Sequence, residues 1–177
     1  MKVPKKSSLM NTHLEIERRF LVKNLPAGWR HRPHVRIDQG YFPVTSKDIE
    51  IRLRRKQTSS CLTVKGGHGR TRLEEEVKLA REQFNSLWPL TRAARVSKTR
   101  YLIPNRANTI EMDVYRGAHK GLVTAEIEFR SRHESAAFVP PGWFGREITG
   151  EERFANRTLA RSNLSRGRHG KTKTAWH

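Results

Sequence analysis

Two acidic pairs give the first chemical signal in this chain. Glu15-Ile16-Glu17 near the start and Glu126-Ile127-Glu128 near the end each set two carboxylates at i, i+2 spacing. On a strand that spacing puts both on one face, roughly 7 Å apart. Oxygen-only donors of this kind suit a hard divalent cation such as Mg²⁺ or Mn²⁺. A ladder of bases runs between the pairs: Arg19, Arg52, Arg54, Lys65, Lys98 and Arg100. Guanidinium forks and an ammonium point charge bind phosphate oxygens. Five or six converging cations match a ligand with four or five negative charges, for which a linear triphosphate qualifies. A nucleic-acid backbone also qualifies, but acids interleaved among the bases would repel it unless a metal lay between. The pattern therefore favours a metal–polyphosphate site over a nucleic-acid surface.

These residues must be positioned by strands, because alternation with period two dominates the chain. HLEIERRFLV sets Leu14, Ile16, Phe20 and Val22 opposite Glu15, Glu17 and Arg19. IEIRLRR, CLTVK, RLEEEVKL, VSKTRYLI, TIEMDVY and LVTAEIEF follow the same rule, and VRIDQGYF at 35–42 completes eight candidate strands. PVTSKD, GGHG and PNRAN read as connections. Helices are expected over 81–90, ended by Pro89, and over 148–161, opened by a capping-box pattern of Thr149 and Glu152, with a short turn near 131–138. Periodicity yields faces but not inside or outside. The charged faces could be the solvated surface of a sandwich or the lining of a closed barrel.

The chain has 177 residues and a formal net charge of +19. That length makes one domain the default. No apolar run reaches even ten residues, which excludes a transmembrane helix, and the basic N-terminus lacks the apolar stretch of a secretory signal. The single Cys61 excludes an intramolecular disulfide framework and fits a reducing, cytoplasmic setting. The charge is uneven. We expect a basic extension over 1–12, an ordered body over 13–164 and a disordered basic tail over 165–177.

On these motifs the sequence resembles the CYTH domain, or triphosphate tunnel metalloenzyme, family. The family's opening Glu-x-Glu-x-Lys is matched by Glu15, Glu17 and Arg19, with Arg in place of Lys. Its Arg-x-Arg strand matches Arg52 and Arg54, its next lysine Lys65, and its Arg followed by paired Glu matches Arg72, Glu74 and Glu76. Lys98 and Arg100 match Lys-Thr-Arg, Glu111 and Asp113 match Glu-x-Asp, and Glu126 and Glu128 match the late Glu-x-Glu. The phrases GYF around Tyr41 and WFGREITGEERFAN are similar to those of bacterial inorganic tripolyphosphatases.

The resemblance implies a mainly β fold with flanking helices (α+β): an eight-stranded antiparallel closed barrel with a charged lumen. It also implies metal-dependent hydrolysis of a phosphoanhydride bond, with inorganic tripolyphosphate yielding pyrophosphate and phosphate. Mg²⁺ or Mn²⁺ would be held by Glu15, Glu17, Glu126 and Glu128, and the phosphates by the ladder of bases. Glu17 and Lys98 are the candidate catalytic residues. Lys98 would either orient the attacking water, its pKa lowered by neighbouring cations, or serve as one more phosphate ligand. Arg72, Glu74, Glu76, Glu111, Asp113 and Tyr41 would line the tunnel, Tyr41 against Lys98 or in the core. A nucleoside or thiamine triphosphatase, an adenylate cyclase, and a non-catalytic polyphosphate or nucleic-acid binder are alternatives. The expected partner is a small anionic triphosphate, not a membrane. A weak nucleic-acid or polyanion contact through the tails and a homodimer both stay open. The eight His residues show no ligand spacing, and Cys61 reads as a plain strand residue.

Overall fold

The computed structural model describes residues 16–46, 48–66 and 73–166. Glu15, Arg72, the extension over 1–12 and the tail from residue 167 onward lie outside the described residues. Antiparallel strands form a single sheet: β1 (Ile16–Val22), β2 (His34–Tyr41), β3 (Ile49–Lys56), β4 (Ser59–Gly66), β5 (Leu73–Leu79), β6 (Arg95–Asn105), β7 (Asn108–Tyr115), β8 (Val123–Phe129) and β9 (Phe144–Glu147). Their order is β5-β4-β3-β2-β6-β7-β8-β1-β9.

The mainly β fold with helices is as expected, but the strand count and the closure are not. The ninth strand takes the free edge of β1, pairing Phe20 with Glu147 and Val22 with Phe144 across a register shift. Four residues broken by such a shift carry too little alternation to be read from sequence. The sheet is open, with β5 and β9 at its edges and no ladder joining them among the described residues. The eight-stranded closed barrel is thereby corrected to a nine-stranded open sheet.

Register decides which residues share a face, because directly opposed residues point the same way. Glu17 faces Glu128 and Arg19 faces Glu126. Glu126 faces Glu111, and Asp113 faces Arg100 while Lys98 faces Tyr115. The chain of pairs continues through Ile37 against Lys98, Tyr41 against Arg52 and Gln39 against Arg54. It ends with Lys65 between Glu50 and Glu74, and Thr63 between Arg52 and Glu76. Every described charged motif residue therefore lies on one face, here called inner.

The apolar core divides between the two faces. On the outer face Phe20, Ile103, Ile110, Met112, Ala125, Ile127, Phe129 and Phe144 pack with Phe138 and Trp143. These come from the alternate positions of β1, β6, β7 and β8 and from the chain around α2 (Arg132–Ala137), whose Ser131 side chain caps it by accepting from Glu134 N. The second core fills one end of the inner face. Leu21, Tyr41, Val96 and Tyr115 there meet Phe154, Leu159 and Ala160. α3 (Asn156–Arg166) thus plugs the charged face, packing on β6 and β2. It starts later than the capping-box pattern suggested, because Thr149 is used elsewhere: its Oγ1 accepts from Arg19 N at 3.0 Å and donates to Glu147 Oε1 at 2.6 Å. The expected helix over 81–90 forms as α1 (Arg81–Leu87) and a 3₁₀ turn, Trp88–Thr91. That turn sits on the outer face at Gly40, where a Cβ would lie 2.2 Å from Thr91 Oγ1. Only glycine permits this approach.

Candidate functional site

Glu17 and Arg19 of β1, Tyr41 of β2, Glu50 and Arg52 of β3 and Lys65 of β4 line one cavity of about 300 Å³ with Asn156 and Arg157 of α3. β1 and β3 are five places apart in the sheet. A flat sheet would separate them by roughly 24 Å, so the sheet must curl strongly to bring them to one cavity. A second cavity, about 340 Å³, is lined by Asn108, Glu111, Glu126, Glu128 and Arg130. Glu17 of the first cavity and Glu126 of the second share the Arg19 guanidinium, at 3.7 and 2.6 Å, which places a carboxyl pair at their junction.

Nearly every base of the ladder meets an acid on a neighbouring strand. Arg19 clasps Glu126 (Nη2 to Oε2, 2.6 Å) and lies 3.7 Å from Glu17. Arg54 pairs with Glu76 at 2.8 Å and Lys65 with Glu74 at 2.7 Å. Arg100 forks onto Asp113, with Nε to Oδ1 and Nη2 to Oδ2 both at 2.8 Å, and also pairs with Glu111. Arg52 differs. One Nη donates to Thr63 Oγ1 at 3.3 Å, but its buried Nε has no hydrogen-bond partner. A buried N–H left unmet on a cation costs stability and marks a place for an anion.

Lys98 is more enclosed than the sequence implied. Its Nζ donates to Asp113 Oδ2 at 2.5 Å, and both side chains are only 2% exposed. Burial lowers the Lys98 pKa, Asp113 opposes that and Arg100 adds to it; the net direction is down. The direction matches the expectation, but desolvation rather than the cation cluster is the main cause. Lys98 lies over the Tyr115 ring, 5.5 Å from its centroid. Tyr41 instead accepts from Gln39 Nε2 at 3.2 Å and joins the inner core, and burial pushes its phenol up to about 12. Burial raises the Glu126 carboxyl, but the Glu17 hydrogen bond and Arg19 outweigh it, and its pKa is lowered.

Glu17, Glu126 and Glu128 converge on β1 and β8; Glu74 and Glu76 stand on the far edge strand β5. Among the described residues no three His, Cys, Asp or Glu side chains form a ready metal cluster. The donor set still suits a hard cation, since Glu17 and Glu126 stand together around one guanidinium and every donor is oxygen. Sequence reasoning missed Glu50, Asp48, Glu152, Asn156 and Arg157, all of which line the first cavity. Glu50 was detectable, because it shares the parity of Arg52 and Arg54. Asp48 sits in the connection just before β3, and Glu152, Asn156 and Arg157 depend on where α3 and the turn before it dock, which no strand pattern encodes. Cys61 is a buried free cysteine between Arg54 and Lys78 in register.

Comparison with known proteins agrees with this layout. The family model for the CYTH domain matches residues 13–153. An inorganic triphosphatase of Nitrosomonas europaea is 41% identical over 150 residues, 84% of this chain and 97% of the relative. One from Acetivibrio thermocellus is 36% identical over 155 residues, 84% and 94% of the two chains. A crystal structure of an inorganic triphosphatase superposes with a TM-score of 0.69 at 38% identity, covering 83% of this chain and 94% of its own.

Proposed function

The chain belongs to the CYTH domain family, and on that premise we propose that it hydrolyses inorganic triphosphate to pyrophosphate and phosphate. It is a hydrolase acting on a phosphoanhydride bond. The observation that carries the substrate reading within this fold is Arg52: a guanidinium with a buried, unmet N–H, on the wall of a cavity that also holds Arg19 and Lys65.

The ladder is self-neutralised without ligand, so binding is an exchange. Phosphate oxygens replace Glu74 on Lys65, Glu76 on Arg54 and Glu126 on Arg19, while Arg52 gains a first partner for Nε. Glu17 and Glu126, released from Arg19, would hold a divalent cation together with Glu128 and Glu15. Mg²⁺ and Mn²⁺ both fit the oxygen donors. When bound, the cation supplies Lewis-acid polarisation of a phosphoryl oxygen. The protein's own share is positioning and charge compensation: Arg19, Arg52, Arg54, Lys65 and Arg100 hold the chain extended and stabilise charge on the transferring phosphoryl group. Lys98, buried on Asp113, fixes that carboxylate and through it the Arg100 fork, and so acts as a positioning residue. The curled, open sheet wraps its inner face around the substrate, with α3 across one end. Among the described residues the cavity offers Tyr41 as its one aromatic, already placed in the core rather than set to stack a nucleobase. No helix of the described residues is long and apolar enough to cross a membrane, and the lone Cys61 fits a reducing compartment such as the cytoplasm.

A substrate panel tests the reading. Phosphate release from inorganic triphosphate under Mg²⁺ or Mn²⁺ should exceed that from ATP, GTP and thiamine triphosphate. Preference for a nucleotide would move the assignment to another activity of the family.

A further inference from the structure

The acids of this protein are concentrated on the inner face, and the outer face of β2 and β3 is left with a cationic groove. Arg36, Asp38 and Arg55 point outward by the same register that turns Gln39 and Arg54 inward. Two adjoining cavities there, about 180 and 350 Å³, share Arg55 and Gln57. Arg36 lines the first, and Ser60, Arg81 and Asn85 the second, beneath α1.

Among the described residues Asp38 is the one acid on either wall. It is already committed: Ser97 Oγ donates to Oδ1 at 2.5 Å, while Arg55 Nη2 and Arg36 Nε approach Oδ2 at 3.3 and 3.4 Å. One carboxylate shared by two guanidiniums leaves a net positive charge, and Arg81 adds to it. Arg55 is held rather than loose, its guanidinium 5.1 Å above the Phe84 ring. Its side chain and that of Arg36 are still 41% and 61% exposed, so their remaining N–H groups face the groove. Gln57, Ser60 and Asn85 add neutral hydrogen-bonding groups. Phe84 is buried under Arg55 and offers no ring for a base. The lining recognises phosphoryl oxygens and little else.

We propose that this outer groove is a second, non-catalytic binding site for condensed inorganic phosphate of two or three phosphoryl groups. It lies across the sheet from the inner cavity and shares no residue with it.

Calorimetric titration of the full chain with imidodiphosphate, a non-hydrolysable diphosphate, tests this. The wild type should bind two equivalents. Arg55→Gln with Arg81→Gln should bind one, with unchanged turnover of inorganic triphosphate. Arg81→Gln alone, which leaves Arg55 in place on Asp38 and Phe84, should weaken the outer site about tenfold without moving the melting temperature. Arg52→Ala with Lys65→Ala should empty the inner cavity and leave the outer equivalent. If the inner reading is what fails, wild type and that inner variant will share a single equivalent, which Arg55→Gln with Arg81→Gln removes. A single equivalent that survives Arg55→Gln with Arg81→Gln overturns the proposal. So does displacement of the outer diphosphate by a short single-stranded oligonucleotide, which would make the groove a nucleic-acid surface.

Discussion

Lys98 Nζ lies 2.5 Å from Asp113 Oδ2, and the two side chains, each 2% exposed, form a buried ion pair at the centre of the inner face. Asp113 also takes both arms of the Arg100 fork. The two partners are therefore unequal. Lys98→Met leaves Asp113 still neutralised by Arg100. Asp113→Asn leaves Lys98 buried beside Arg100 without its direct ion-pair partner, Glu126 acting only from farther away, and breaking a buried pair in this way costs about 3–5 kcal/mol. Urea unfolding should show Asp113→Asn losing several times more stability than Lys98→Met. Equal losses would contradict this account of the pair.

The same groups set the pH dependence of stability. Burial raises the Asp113 carboxyl, but Lys98 and Arg100 outweigh it and the pKa is lowered. Burial likewise raises Asp38, and its Ser97 and Arg55 hydrogen bonds reverse the sign. A depressed carboxyl stabilises the fold above its unfolded value, about 3.9, and that contribution is lost as pH falls through the folded value. Lys98 works at the other end. Its folded pKa is lowered, chiefly by burial, so between that value and about 10.4 the unfolded chain binds more protons and stability rises with pH. Urea midpoints should drop below about pH 4, less steeply for Asp38→Asn. On the alkaline side, the difference between wild type and Lys98→Met should grow with pH in favour of wild type.

α3 is tied to the sheet by few polar bonds. Tyr115 Oη donates to Asn156 Oδ1 at 2.9 Å, and the His119 ring meets Leu159 O at 2.8 Å. Asn156 and Arg157 line the first cavity, so loosening this helix changes the site mouth. Asn156→Ala should cost about 1 kcal/mol, speed amide exchange across α3 and raise KM for triphosphate more than it lowers kcat. Unchanged exchange and KM would separate the helix from substrate binding.

How far the sequence reached depended on the kind of contact. Alternation put Glu17, Arg52, Lys65, Asp113 and Glu126 on one face of their strands, and register unites those faces. That much is local chemistry with period two. Leu21, Val96 and Tyr115 share the parity of the charged residues, yet they bury against α3, because one end of the inner face is core rather than lumen. No strand pattern states where a helix eleven residues long will dock. β9 was hidden by its brevity, and the open edges by long-range pairing that periodicity does not encode. The ion pairs that silence the ladder without ligand, such as Lys65 with Glu74, were invisible for the same reason: they join strands.

The central claim is that the inner-face carboxyl pair supports metal-dependent hydrolysis of triphosphate. Its most direct test is phosphate release from inorganic triphosphate by purified wild type and Glu17→Gln, each with Mg²⁺, with Mn²⁺ and with chelator. The account predicts release by wild type that chelator abolishes, and a loss on the order of 100-fold or more in Glu17→Gln at an unchanged melting temperature. Glu17→Gln releasing phosphate at the wild-type rate would contradict it.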